Sequence, residues 1–488
     1  MAFRILYGLL LVTNLVTVAG AQDEIPLRIN ERTEDVVADL KRYIPRYMSE
    51  RNIPGAALAL IKDGETVWLE GFGVLNIFTS QPVNSETVFK FASNSKAITA
   101  YAALRLVDQG VLSLDEPLNS YISDPWLPPS PYRDVISLRH VLSHTSGLGH
   151  STPSRENVFA PGLGYAYSAI GLQYLQAVME QTTGQSLQQT GLELVFEPLG
   201  MSSSSYVLPE SLRQRAANGH ISGVIALVVY GMVCLVIALL GGTAGLVSLR
   251  FARGRWRPSR RQCLLFFFTV LFLADILIFY LLDLITLPDY AWTIVLGGTA
   301  GVILLWATLW GVGKLLLPRI GRRILRIGSA VLSALVAVSL ILVLGANVVL
   351  PVPVSEHQLP QAAASVSATV GDMAAFMVEL GRPRHLSSEQ STQLRAPQVR
   401  LHESLSWGLG PGIMHTEQGD VLWQWGQHVD FQSVAMIYQD LGFGVVAVTS
   451  SDLLAPDVAI EMAHYAVGGR IDPIVRASGL AFNYNPGE

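Results

Sequence analysis

The chain has 488 residues, half of them apolar, only 15% charged, and a mean hydropathy of +0.38, too apolar for an ordinary soluble protein. The net charge of -5, with the clustered basic residues lying beside apolar runs, argues against nucleic acid as a partner. The two cysteines, Cys234 and Cys263, fall in or beside those runs. That excludes a disulfide framework, and it excludes a cysteine nucleophile or zinc-thiolate site in the flanking segments.

The first residues show Arg4, an apolar stretch over 5–18 and then Ala19-Gly20-Ala21. This is the pattern of a secretory signal peptide over residues 1–21, so the chain beyond it starts outside the cytosol. An apolar strand, the turn Lys62-Asp63-Gly64-Glu65 and a second strand predict a β-hairpin over 55–72. Next comes Phe91-Ala92-Ser93-Asn94-Ser95-Lys96, followed by helical character over 97–109 and a stop at Gly110. Ser93 and Lys96 are three apart at a helix start, so their side chains share one face within hydrogen-bonding range. A buried lysine there loses its proton readily and activates the serine, and the helix N-terminus adds an N–H and partial positive charge beside a developing oxyanion.

Four apolar runs then occupy about 221–249, 264–287, 291–317 and 327–350. Each reaches the roughly 20 residues needed to cross about 30 Å of hydrocarbon as helix. The first connection carries Arg250, Arg253, Arg255, Arg257, Arg260 and Arg261, and the third carries Arg319, Arg322, Arg323 and Arg326; Pro288-Asp289-Tyr290 between the middle runs has no basic residue. The positive-inside bias puts both Arg-rich loops in the cytosol and both ends of this unit on the exoplasmic side, in agreement with the signal peptide. Asp275 lies near the centre of the second run, a costly place for a carboxylate unless it is paired, wet or protonated. It marks either a polar functional site or a structural pairing.

Strands are predicted again at 434–438 and 445–449 around Asp440-Leu441-Gly442, with a last helix over about 457–467. Strands at both chain ends with helices between them predict an α+β fold: one sheet assembled from the two ends, and a helical lobe from the middle. The expected organisation is a signal peptide at 1–21, one domain in two parts at 22–220 and 351–488, and a four-helix transmembrane unit at 221–350 inserted in a surface loop.

Further motifs sit around the Ser93 segment. Residues 136–148 read Ile-Ser-Leu-Arg-His-Val-Leu-Ser-His-Thr-Ser-Gly-Leu, residues 161–184 contain Tyr165-Ala166-Tyr167-Ser168, and 196–201 read Phe-Glu-Pro-Leu-Gly-Met. Later come Trp407-Gly408-Leu409-Gly410 and Trp423-Gln424-Trp425-Gly426, with Phe431-Gln432-Ser433 beyond. In content and order these resemble the serine β-lactamase and penicillin-binding-protein superfamily, specifically its class C-like branch of esterases and D-peptidases. The resemblance covers nearly everything from 52 to 469 outside the apolar unit.

It implies a β-lactamase-like antiparallel sheet flanked by helices, with Ser93 as acylated nucleophile, Lys96 as its partner and Tyr167 as the phenol that shares the lysine's proton. It further implies an oxyanion hole from the N–H groups of Ser93 and Gln427 and substrate contacts at Gln424 and Gly426. His144 is expected to organise its loop, since relatives give it no proton-transfer role. Three departures stand out. Ala169 occupies the Asn position of Tyr-x-Asn, Gln424 replaces the Lys or His that opens the third motif, and Ala363-Ala364-Ser365 replaces a Gly-rich turn. Gln cannot supply a cation for a substrate carboxylate, which points away from β-lactams and free C-terminal carboxylates.

The expected function is a multi-pass, exoplasmic, membrane-bound serine hydrolase cleaving an ester or amide of a small-molecule, lipid or peptide substrate. Membrane lipids are its expected surroundings, and no metal or organic cofactor is implied. The alternatives are a penicillin-binding-type sensor with little turnover, and a transport or lipid-binding unit centred on Asp275.

Overall fold

The computed structural model describes residues 25–150, 155–222, 349–352, 354, 359–451 and 457–469. The signal segment, Asp275, both cysteines and the apolar runs from 223 to 348 lie outside them. Among the described residues no helix is long and apolar enough to cross a membrane.

After helix α1 (Thr33–Arg51) come strands β1 (Gly55–Lys62) and β2 (Glu65–Gly73). Their turn takes positive φ at both Asp63 and Gly64, the left-handed pair that matches the twist of a tight hairpin. The short β3 (Phe89–Lys90) feeds the 3-10 turn Ala92–Asn94 and helix α2 (Ser95–Asp108). The helical lobe continues with α3 (Leu138–Leu142) and α4 (Ala169–Thr183). Strands β4 (Gly219–Ser222) and β5 (Val349–Val352) come next, then β6 (Ser367–Ala368), α5 (Val370–Gly381) and α6 (Ser388–Arg395). The chain then runs through β7 (Val399–His402), β8 (Leu405–Trp407), β9 (Gly412–Thr416), β10 (Gly419–Gln427), β11 (Gln432–Tyr438) and β12 (Phe443–Thr449) into α7 (Val458–Val467).

Eight strands form one antiparallel sheet in the order β2-β1-β12-β11-β10-β9-β8-β7. The predicted assembly from the two chain ends is realised where β1 lies between β2 and β12, with Ala57 opposite Val448. Alternate side chains of β1 enter opposite cores. Ala57, Ala59 and Ile61 face the helical lobe, whereas Ala56, Leu58 and Leu60 face the layer of α1 and α7. With both faces covered, β1 is an almost unbroken apolar run. In the outer layer Tyr43 of α1 stacks on Tyr465 of α7 and the Tyr47 hydroxyl bonds Glu461.

The ends of the predicted insert differ from expectation. Residues 221–222 and 349–350, expected in the first and fourth apolar runs, are strand: Ile221 pairs with Leu350 and Ser222 with Val349. Backbone pairing between the two boundaries holds the departing and returning chain side by side. The His220 N–H also donates to the Asp430 carbonyl at 3.3 Å, which ties this pair to the turn between β10 and β11.

Glu379 joins the lobe to the nucleophile helix. Its side chain, 5% exposed, accepts from the Tyr101 hydroxyl of α2 at 2.6 Å and from the N–H groups of Arg384 and His385 at 2.8 and 2.9 Å. Glu379→Ala leaves the buried Tyr101 hydroxyl without its acceptor and frees the N–H groups of Arg384 and His385, and is expected to lower unfolding stability by about 3 kcal/mol. Tyr101→Phe, which removes a single donor, is expected to cost less than half of that in chemical denaturation.

Candidate active site

The site is built where α2 meets β10 and the segment preceding β6. The Phe91 N–H donates to Val366 O at 2.9 Å, the Asn94 N–H returns to Phe91 O, and Ala92 between them takes φ +47. A left-handed alanine costs on the order of 1 kcal/mol and persists because its surroundings fix it. Ser95 Oγ donates to Ala92 O and accepts from the Val366 N–H, while Asn94 Nδ2 and Ser433 Oγ both reach Phe91 O. Ser93 therefore stands in the 3-10 turn ahead of α2, on a loop tied to residues from beyond the insert.

Lys96 Nζ lies 2.9 Å from Ser93 Oγ and donates to Ala363 O at 2.8 Å. The lysine is 2% exposed, and burial pulls its pKa down to about 7. A neutral amine directs its lone pair at the serine while donating to the carbonyl, which is the geometry of a general base. The Tyr167 ring centroid is 4.9 Å from Lys96 Nζ. Burial pushes the phenol's pKa up, opposed by hydrogen bonds to Ser93 and Gln424, so Tyr167 is a proton-bearing acid and not a tyrosinate base at neutral pH. Ser93, Lys96 and Tyr167 are thus brought together in one place.

The two strand-motif residues both pack close to the nucleophile loop and the phenol. Gln424 is 1% exposed, and its Nε2 donates to the Tyr167 hydroxyl at 3.1 Å and to Trp425 O at 3.0 Å. Expected to contact substrate, it faces the phenol because that register position of β10 points into the site floor. Gly426 is required by close approach: a Cβ there would lie 2.1 Å from Phe91 O and 2.6 Å from Ser433 Oγ. Gln427 fits an oxyanion donor by ladder alternation. The His428 N–H bonds Phe431 O, so Gln427, opposite Gln432, is a pair whose N–H and C=O turn away from β11. On that side β9 pairs with β10 only as far as Trp423, which leaves the edge at Gln427 open.

Aromatic rings brace the phenol. Trp425 stacks on Tyr167 at 5.1 Å and His150 at 5.7 Å, with the edges of Trp407 and His144 nearby. His150 and His428 escaped the sequence reading. Burial, with Lys96 close by, takes each down to about 4, so both are neutral imidazoles at the rim. The signal for His428 was its place directly after Gln427; His150, three residues past the His-Thr-Ser-Gly run, offered none.

A Ser-His-Asp chain also occurs on the sheet, with Ser406 Oγ 2.8 Å from His415 Nε2 and His415 Nδ1 2.7 Å from Asp420 Oδ1. Ser406 is 1% exposed, so no carbonyl substrate reaches it, and the trio is a cross-strand lock. Among the described residues no cluster of acidic, histidine or cysteine side chains could hold a metal ion.

Comparison with known proteins agrees with this geometry. Residues 40–249 match the family model for Beta-lactamase. The matched segment contains Ser93, Lys96 and Tyr167, and this part of the chain is similar to β-lactamase-type serine hydrolases. It is 32% identical over 215 residues to esterase EstB of Burkholderia gladioli, covering 36% of this chain and 53% of that protein. It is 29% identical over 191 residues to penicillin-binding protein 4 of Amycolatopsis lactamdurans, covering 36% and 50%. The chain thus spans about half the length of the curated relatives it matches. Among solved structures, the octameric penicillin-binding protein homologue from Pyrococcus abyssi superposes with a TM-score of 0.57 at 17% identity, covering 93% of this chain and 78% of that one. The D-alanine carboxypeptidase AmpC from Burkholderia cenocepacia gives 0.56 at 14% identity, covering 89% and 99%. At these identities the likeness is one of fold.

Two outcomes are expected of the serine hydrolase site. Acylation needs Lys96 without its proton, so its rate should rise about tenfold per pH unit on the acid side and level off above the lysine's pKa, which stands at about 7. A pH profile of Ser93 labelling by a fluorophosphonate measures this. In Gly426→Ala the new methyl pushes the Phe91–Ala92 backbone off β10, and labelling at Ser93 should be lost even in protein that stays folded by circular dichroism.

Proposed function

We propose that this protein is a membrane-bound, exoplasmic serine hydrolase that cleaves an uncharged ester or amide through a Ser93 acyl-enzyme. The observation that carries the reading is the buried Lys96 amine 2.9 Å from Ser93 Oγ. Ser93 Oγ passes its proton to Lys96 and bonds the substrate carbonyl carbon; the N–H groups of Ser93 and Gln427 hold the oxyanion. The tetrahedral adduct collapses, and the leaving alkoxide or amine takes a proton from the Tyr167 phenol, which Lys96 resupplies. Water then attacks the acyl-enzyme, gives its proton back through the same pair and releases the acid and free Ser93.

Substrate class is set by the side chains around the serine. With Gln424 turned to the phenol and Ala169 in place of an amide side chain, nothing at these two positions offers a substrate carboxylate a cation. Bulky Trp425 beside Tyr167 favours an apolar acyl group. A small-molecule ester, a lipid ester or a peptide amide without a free carboxylate fits these features better than a β-lactam.

The membrane reading rests on the apolar runs, their alternating Arg-rich loops and the signal sequence at residues 1–21. Four crossings return the chain to the side it left, and the pairing of β4 with β5 is what such a return requires at the domain surface. Both parts of the hydrolase, 22–220 and 351–488, then lie in one exoplasmic compartment.

Purified in detergent, the full chain should be labelled by a fluorophosphonate and hydrolyse a short chromogenic ester, while Ser93→Ala does neither and a chromogenic cephalosporin is left intact. Labelling without turnover would replace the enzyme by a penicillin-binding-type sensor; equal labelling of Ser93→Ala would remove the reading altogether. Alkaline carbonate washing should leave the protein in the membrane pellet, and its recovery in the supernatant would overturn the multi-pass anchor.

A further inference from the structure

Tyr167 must present its hydroxyl to Ser93 with sub-ångström accuracy, yet residues 165–168 belong to no helix or strand. Their backbone is held instead by one residue of the lobe. The His144 carbonyl accepts from the Ala166 N–H at 2.8 Å, and His144 Nδ1 accepts from the Ser168 N–H at 3.1 Å. One residue thereby grips the chain on both sides of Tyr167, and its ring lies 4.5 Å from the Tyr167 ring.

We propose that His144 is the positioning residue for the catalytic phenol, acting through its Nδ1 acceptor and its carbonyl and taking no part in proton transfer to substrate. Three features support this beyond the two bonds. His144 is 1% exposed, so it does not meet bulk water or substrate. Its φ of +58 is a left-handed conformation that a non-glycine residue adopts only where the surroundings demand it, and it aims carbonyl and imidazole at the same strand of chain. A ring nitrogen that accepts from a backbone N–H must be unprotonated, which requires the neutral imidazole; burial, with Lys96 next, drives the pKa down and secures that state. Ser168 completes the clamp. Its hydroxyl donates to Gly149 O at 3.0 Å and accepts from the Gly171 N–H at 2.8 Å, so the same residue caps α4 and ties it to the His144 loop.

The proposal rests on the Ser93 acyl-transfer reading, and its test separates the two. Asparagine and glycine both tolerate the left-handed conformation, but only asparagine carries a side-chain acceptor near the place of Nδ1. His144→Asn in the full chain should keep kcat for a short chromogenic ester within about fivefold of the parent, whereas His144→Gly should lose about thirtyfold or more in kcat with KM little changed, a share of the usual acid–base contribution. Unfolding midpoints of both variants correct for folded fraction. Equal losses in the two variants, or a loss carried by KM, would overturn the proposal. A 3-fluorotyrosine placed at position 167 gives a readout independent of turnover: its fluorine resonance should stay near the parent's in His144→Asn and shift or broaden in His144→Gly. Should the parent protein prove inactive, the acyl-transfer reading fails while the resonance still decides whether His144 sets the phenol; an unmoved resonance in the glycine variant rejects it.

Discussion

Removing the Lys96 amine from water is the constraint on which the site depends. An ammonium with the exposure of a surface lysine would keep its proton at neutral pH and could not take one from serine. Here α2, the 360–366 segment and the Tyr167 ring enclose it, leaving the Ser93 hydroxyl and the Ala363 carbonyl as its polar partners. The same dryness keeps the Tyr167 phenol protonated. One environment thus separates the two proton carriers into a base and an acid, because burial disfavours an ammonium and a phenolate alike.

That enclosure needs both parts of the domain. The nucleophile, the lysine and the phenol come from the described residues up to 222, whereas Ala363, Val366, Gln424, Gln427 and Ser433 come from those beyond 349. Gln176 of α4 holds the returning chain by accepting from the Ala362 N–H and donating to Pro360 O. Pairing of β4 with β5 brings residues 219–222 beside residues 349–352, and the His220 N–H ties this pair to Asp430 in the turn between β10 and β11. The chain ends meet in β1 and β12, and the second meeting, at Ser93, depends on the first.

Much of this was legible in the residues. The hairpin of β1 and β2 announced itself by Asp63-Gly64, a dipeptide whose left-handed conformation is cheap. Ser93 and Lys96 were legible because three residues on a helix start are neighbours whatever the rest of the chain does. Tyr167 was found only through family resemblance, since no local rule connects a phenol to a lysine seventy residues earlier. Helix α1 and strands β7 to β9 were not read: α1 does carry Val36, Leu40, Ile44 and Met48 at helical spacing, a signal that was there to read, whereas the three strands are only three to five residues long.

Sequence by itself determined the local chemistry: which hydroxyl, which amine, which turns, and that a cation is absent at Gln424 and an amide at Ala169. Those are properties of residue type and short spacing, which the backbone fixes within a turn or two. Tertiary structure alone decided that Gln424 donates to the phenol, that Gly426 admits the Phe91 carbonyl, and that His144 grips the chain around Tyr167. Each of these depends on contacts between residues tens to hundreds of positions apart, and a side chain's partner at that range is set by how the sheet and lobe pack, which no local pattern encodes.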